Sequence, residues 1–158
     1  MLVLSEKIST QKSGFVAIAV VVIFAIASFF LTRPANGTQT ISSVSGLMTL
    51  QAAAKTAMPY DVAMANPQPT LIEFYADWCT TCQAMAATIE TVHQQFSDDL
   101  NIVMLNIDEP QWQKQVESYK VSGVPHFVLL QKDLNVADTY IGRVPLQILA
   151  SRIASLVS

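Results

Sequence analysis

The sequence has 158 residues, of which 51% are hydrophobic and 13% charged, so it has room for one domain of ordinary size and an appendage. From residue 34 onward, six basic residues stand against eleven acidic ones, a net charge of −5. Such a domain has no electrostatic means of holding a phosphate backbone, so we expect no nucleic-acid partner. The two cysteines, Cys79 and Cys82, are too few and too close together for a disulfide-stapled scaffold, which makes reactivity the better reason for their presence.

The N-terminal part contains an uncharged apolar segment, residues 14–31. As a helix it would span roughly 27 Å, close to the hydrocarbon core of about 30 Å, so we predict a transmembrane helix. The alternative is a cleaved signal peptide, whose apolar stretch is usually shorter. Lys7 and Lys12 precede the segment and Arg33 follows it, so the positive-inside rule places residues 1–13 in the cytoplasm and the rest in a lumen or periplasm.

A domain follows after a polar stretch. Residues 32–46 are rich in Thr, Ser and Gly, which predicts a flexible linker, and residues 47–158 are interpreted as one domain. The domain begins with an alanine-rich helix over residues 47–58 and continues with a short apolar strand over residues 70–75. Glu73 is the one carboxylate in that strand.

The rest of the domain alternates between helices and strands. Apolar spacing and turn residues predict a helix from Cys79 to Phe96, a strand over 101–107, a helix from Pro110, two strands over 126–130 and 136–141, and a last helix from Pro145. Alternation of strands with helices implies parallel pairing, and the final hairpin adds an antiparallel edge. The predicted fold class is therefore α/β, a central mixed sheet flanked by helices.

The two cysteines lie where the first strand gives way to a long helix. Unsatisfied N–H groups and the positive end of the helix dipole stabilise a thiolate there and lower the pKa of the thiol. Positions three apart share a helix face, so the second sulfur can reach the first. We expect Cys79 to be the attacking nucleophile and Cys82 the resolving thiol of a redox disulfide.

The same motif has two inert interpretations, half of a zinc site or a pair of unreactive thiols. Zinc usually needs four ligands, and His93 and His126 are the usual companions that remain. His93 would lie roughly 16 Å along the helix from Cys82, which is too far to share a metal. We therefore expect no metal and no other cofactor.

Three features near the motif each have two interpretations. Glu73 either marks a sheet edge or is buried beneath the sulfurs, where desolvation would raise its pKa and let it carry the proton of Cys82. Trp78 is either a core aromatic or a partly exposed wall beside the disulfide. The Val124–Pro125 pair is either an ordinary turn or a cis peptide.

Several separated segments, FYADWCTTC, VMLNID, SGVPHFVLL and YIGRVP, resemble the thioredoxin family over roughly residues 47–158. Longer stretches such as PYDVAMANPQPTLIEFYADWC and IVMLNIDEPQW are similar to one branch, the thylakoid-anchored thioredoxin-like proteins of chloroplasts and the Txl-type thiol–disulfide interchange proteins of cyanobacteria. The resemblance implies a thioredoxin-like fold and the two cysteine roles given above. It also implies Glu73 as the buried acid and Pro125 as a cis-proline facing the disulfide, and we expect Trp78, Val124 and Pro125 to contact substrate.

The resemblance further implies an oxidoreductase domain on the lumenal or periplasmic side of a thylakoid or plasma membrane. It would take electrons from a membrane thiol carrier and reduce disulfides of substrate proteins, apocytochromes included. Two departures leave the reduction potential open: Thr80-Thr81 replaces the Gly-Pro of thioredoxin, and Met104 replaces a lysine near the buried acid. A disulfide-introducing oxidase or isomerase, and a non-catalytic binding module, therefore remain as alternatives.

Overall fold

The structure is a computed structural model, and it describes residues 43–158. The predicted transmembrane helix, residues 14–31, lies outside the described residues, as do residues 1–13 and most of the predicted linker. None of the helices in residues 43–158 has both the length and the apolar character that a membrane span requires.

The elements of the described chain follow one another in the order helix, helix, strand, helix, strand, helix, strand, strand, helix. They are α1 Ser43–Thr56, α2 Tyr60–Ala65, β1 Thr70–Tyr75, α3 Thr80–Phe96, β2 Asn101–Asn106, α4 Gln113–Ser118 after a 3₁₀ turn at Pro110–Trp112, β3 His126–Leu130, β4 Val136–Ile141 and α5 Leu146–Val157.

Two differences from the sequence prediction lie at the start of the domain. Helix α1 begins at Ser43, inside the segment predicted as a linker, because its first turns pack on α3 and most helical stability in a protein comes from such packing. Helix α2, over Tyr60–Ala65, was not predicted, since a helix this short cannot show a clear apolar period. It begins after Pro59, a residue that suits the start of a helix.

The four strands form one sheet in the order β2-β1-β3-β4. Strand β1 pairs parallel with β2 and antiparallel with β3, and β3 pairs antiparallel with β4. The predicted α/β fold with a mixed sheet and a terminal hairpin is thus confirmed. In this register Glu73 of β1 stands between Met104 of β2 and Phe127 of β3.

Strand β1 is buried along its whole length because helices cover both faces of the sheet. Successive side chains point to opposite faces. Leu71 packs with residues of α3 and α5 on one face, whereas Ile72 and Phe74 pack on the other face with the region of α2 and α4. A third cluster at the end of β1 contains Leu50, Tyr75, Ala76, Cys79, Cys82 and Ala86. This third group, called here the disulfide cluster, places the cysteines at the carboxyl end of β1.

Candidate active site

The two cysteines form a disulfide at the beginning of α3. Strand β1 ends at Tyr75, and a tight turn follows in which the backbone N–H of Cys79 donates to the carbonyl of Ala76 at 3.1 Å. Cys79 is the N-cap residue of α3, and Cys82 lies in its first turn with its Cα 5.2 Å from that of Cys79. The strand–turn–helix arrangement therefore brings both sulfurs to one point at the helix start.

The two sulfurs have different environments. Cys79 is 6% exposed as a whole residue, whereas Cys82 is fully buried. The backbone N–H of Cys82 donates to the Sγ of Cys79 at 3.0 Å. After reduction, the same N–H group and the helix dipole would stabilise a thiolate on Cys79. This arrangement is compatible with attack by Cys79 and resolution by Cys82, and the two roles stay predictions.

Glu73 is fully buried, and neither carboxyl oxygen has a hydrogen-bond partner. This excludes the interpretation in which it points to water from a sheet edge. Strand alternation puts it on the same face as Tyr75, a member of the disulfide cluster, so the carboxyl lies on the cysteine side of the sheet. Burial raises the pKa of Glu73 from 4.5 to about 8, because desolvation penalises the charged form. Its role as a proton carrier stays a prediction.

Trp78 is 64% exposed, which excludes the interpretation as a core aromatic. Its indole Nε1 donates to a carboxylate oxygen of Asp108, in the loop after β2, at 2.9 Å. One hydrogen bond thus fixes a large apolar surface beside the nucleophile. Contact of this surface with substrate stays a prediction.

The Val124–Pro125 peptide bond is cis in the structure. Pro125 is buried, and its carbonyl accepts a hydrogen bond from the N–H of Gly142 at 2.8 Å. Gly142 has φ of 82°, a left-handed conformation that glycine adopts without steric cost. Val124 is half-buried and packs against the disulfide cluster, so this loop and the cysteines share one surface.

The two histidines have different environments. His93 is exposed on the later part of α3. His126 is 2% exposed, neither ring nitrogen has a hydrogen-bond partner, and its ring packs edge-to-face on Phe74 with centroids 6.0 Å apart. Phe74 faces away from the disulfide cluster, so His126 is on the opposite side of the sheet from Glu73. Burial lowers the pKa of His126 below its ordinary value of 6.5.

Sequence reasoning missed three residues that contact the site. Leu50 belongs to the disulfide cluster, Gln51 donates to Asp77, and Asp108 accepts from Trp78. Each of these contacts joins residues about thirty positions apart, and a contact of that kind has no local sequence signal.

A redox pair at a helix start, beside a cis-proline and on a mixed sheet, defines the class of thiol–disulfide oxidoreductases with a thioredoxin-like fold. Residues 51–155 match the family model described as thioredoxin. The chain belongs to the thioredoxin family.

Two similar proteins agree with this assignment. The thiol:disulfide interchange protein TxlA of Synechococcus elongatus is 46% identical over 72% of this chain and 59% of that protein. The chloroplastic thioredoxin-like protein HCF164 of Arabidopsis thaliana is 35% identical over 89% of this chain and 50% of that protein. The chain thus spans about half to three fifths of the length of these two relatives.

Solved structures give the same fold. A mutant thioredoxin from Halobacterium salinarum superposes with a TM-score of 0.54 at 32% identity, covering 62% of this chain and 81% of that chain. Mitochondrial thioredoxin 3 from Saccharomyces cerevisiae superposes with a TM-score of 0.52 at 27% identity, covering 61% of this chain and 85% of that chain.

Proposed function

We propose that the chain is a membrane-anchored protein thiol–disulfide oxidoreductase that exchanges its Cys79–Cys82 dithiol/disulfide with the cysteines of substrate proteins. The observation that carries this proposal is the asymmetry of the pair, since Cys79 keeps 6% exposure at the helix start and Cys82 has none. One sulfur can meet a substrate, and the other can only return to its neighbour. A relative named as a thiol:disulfide interchange protein supports the same activity.

In the reducing direction the pair starts as a dithiol. The thiolate of Cys79 attacks one sulfur of a substrate disulfide; that S–S bond breaks, a mixed disulfide forms, and the other substrate sulfur leaves as a thiolate that takes a proton from water. Cys82 then passes its proton to Glu73 in the fraction of molecules in which that carboxyl is ionised, and it attacks the sulfur of Cys79. The mixed disulfide breaks, the second substrate sulfur leaves and is protonated, and the enzyme is left with the Cys79–Cys82 disulfide. Two electrons have moved to the substrate.

The proposed direction is reduction, on the lumenal or periplasmic side of a thylakoid or plasma membrane, with substrates in the photosynthetic apparatus or in cytochrome assembly. Residues 14–31 would anchor the domain, and Lys7 and Lys12 favour a cytoplasmic N-terminus. A membrane thiol carrier would restore the dithiol, since each turnover leaves the pair short of two electrons. The relative described as chloroplastic supports the photosynthetic setting.

A trapping experiment in membranes tests activity and location together. Without its resolving thiol, Cys82→Ser should hold substrate proteins as mixed disulfides on Cys79 that survive non-reducing electrophoresis. The control is the double variant Cys79→Ser with Cys82→Ser, which has no cysteine. Exported proteins with disulfides among the trapped species would support the proposal. Equal recovery from the trap and the control would reject catalysis and favour a binding module.

The reduction potential tests direction. Related proteins span roughly −270 to −120 mV, so the fold alone does not fix the direction. Equilibration of the full chain with glutathione buffers should give a value of about −250 mV or lower if the chain is a reductase. A value near about −130 mV would replace the reductase with an oxidase that uses the same residues.

A further inference from the structure

Helix α1 packs across the beginning of α3, the helix that carries the cysteines. A glycine permits the close approach, since a Cβ on Gly46 would lie only 3.0 Å from the Cβ of Gln83. Gln83 follows Cys82 in the chain. The two helices are therefore in close contact next to the turn that contains the resolving sulfur.

Leu50 of α1 packs beside this turn. Its side chain is fully buried and belongs to the disulfide cluster together with Cys82 and Ala86 of α3. Ala54, one turn further along α1, packs against the same cluster. A helix outside the sheet thus supplies part of the apolar wall around Cys82.

The same helix holds the turn that leads to the nucleophile. The amide Nε2 of Gln51 donates to a carboxylate oxygen of Asp77 at 3.2 Å. The amide Nε2 of Gln83 donates to the carbonyl of Asp77 at 2.7 Å. Asp77 lies two positions before Cys79, so one side chain from α1 and one from α3 fix the approach to the reactive sulfur.

We infer that Leu50 is a positioning residue that seals Cys82 from solvent, so that the resolving thiol reacts only with the sulfur of Cys79. This inference rests on the exchange chemistry proposed above for the same pair. A sealed Cys82 is closed to substrate thiols and to small oxidants, and every external partner must enter at Cys79. Truncating Leu50 should expose the sulfur of Cys82 to external thiols and oxidants, so that it competes with the sulfur of Cys79.

The test measures the alkylation rate of Cys82 in the full chain. In the Cys79→Ser background Cys82 is the single thiol of the sequence, and iodoacetamide reaches it through local openings of the structure. Adding Leu50→Ala should raise the alkylation rate at neutral pH by at least about tenfold, because the cover over the sulfur is removed. The conservative change Leu50→Met should keep the rate within about twofold of the starting protein.

Leu149→Ala is the matched control. Leu149 is also a fully buried leucine, but it lies on α5 in the cluster that does not contain the cysteines. It should lose a similar amount of stability and leave the alkylation rate of Cys82 near that of the parent. Equal rates in the two alanine variants would overturn the inference, since a general loosening of the fold would then explain the result.

Two further measurements cover a variant that fails to fold and separate this inference from the proposed function. If Leu50→Ala does not fold, the milder Leu50→Val replaces it, with Leu149→Val as its control, and the same comparison of rates applies. The chain with both cysteines intact is assayed separately for reduction of insulin disulfides. If this chain does not reduce insulin disulfides, the proposed function is rejected. The alkylation rates report only on the protection of Cys82 by Leu50.

Discussion

The buried carboxyl of Glu73 lies in register with Met104 on the neighbouring parallel strand, so an acid in the core has a thioether side chain beside it. On its other side the register partner is Phe127. Neither neighbour stabilises a negative charge, and burial raises the pKa of Glu73 to about 8. The acid is therefore mostly protonated at neutral pH and ionises in the same pH range as many cysteine thiols.

The first prediction concerns stability against pH. Between the ordinary pKa of 4.5 and the folded pKa of about 8, the folded protein keeps a proton on Glu73 that the unfolded chain releases. The stabilisation that the folded state gains from this proton is complete below pH 4.5. It is lost as the pH rises through about 8. Relative to wild type, Glu73→Gln should gain roughly 3–5 kcal/mol across that window. Urea unfolding of the oxidised forms at several pH values measures this gain, and parallel stability curves would contradict it.

The second prediction concerns resolution of the mixed disulfide. Glu73→Gln keeps the shape of the side chain and removes its capacity to take a proton from Cys82. Resolution should slow by about a hundredfold, the lower range for loss of a general base. Single-turnover kinetics on a preformed mixed disulfide measure the step. An unchanged rate and pH profile would show that water takes the proton instead.

The third prediction uses the register neighbour. Met104→Lys places an ammonium beside Glu73, and an opposite charge at close range should lower the pKa of the carboxyl by about 1–3 units. The titration can be followed by NMR of the carboxyl carbon in the oxidised protein. Met104→Leu is the control, since it changes no charge and should leave the titration in place. Coincident titrations for Met104→Lys and wild type would contradict the assigned register.

The fourth prediction separates recognition from chemistry at Trp78. Its side chain is 64% exposed, so Trp78→Ala should change the free energy of unfolding by no more than about 0.5 kcal/mol. Reduction of a protein disulfide should slow by about tenfold, because an apolar contact beside the nucleophile is lost. Reduction of a small aromatic disulfide serves as the control and should stay within about twofold. Equal decreases in rate on both substrates would show that Trp78 affects the reactivity of the cysteines and not substrate recognition.

The fifth prediction concerns acid stability. Burial lowers the pKa of His126. Below pH 6.5 the unfolded chain is therefore protonated at His126 to a greater extent than the folded protein. Stability should therefore fall as the pH drops below 6.5. Relative to wild type, His126→Phe should therefore gain stability as the pH falls from 7 to 5. Thermal unfolding at these pH values measures the gain, and a difference that does not change with pH would show that His126 titrates alike in the folded and unfolded states.

Much of the fold follows from local patterns. The bounds of β1, β3 and β4 agree with the prediction because each is a short run ended by turn residues. The start of α3 was also predicted, since the cysteines follow the strand after a short turn. By contrast, the beginning of α1 depends on Gly46 and Leu50 meeting α3, and no pattern inside residues 43–56 contains that information.

The candidate site, like the fold, has features that the sequence predicts and features that only the folded structure shows. Residue type and spacing were enough to single out the two cysteines, and an acid in an apolar strand drew attention to Glu73. The burial of that acid needed the sheet order, because a strand of the same sequence at an edge would expose it. The hydrogen bond between Trp78 and Asp108 joins two loops, and only the folded chain brings these loops together.

The bond between the Pro125 carbonyl and the Gly142 N–H has a consequence for any polypeptide that lies along this loop. Proline has no N–H to offer, and its carbonyl already has a partner inside the domain. If a substrate strand pairs with this loop, as expected from the sequence, it would have to use the backbone of Val124, one position earlier. Such pairing would fix the register of the strand relative to the reactive sulfur.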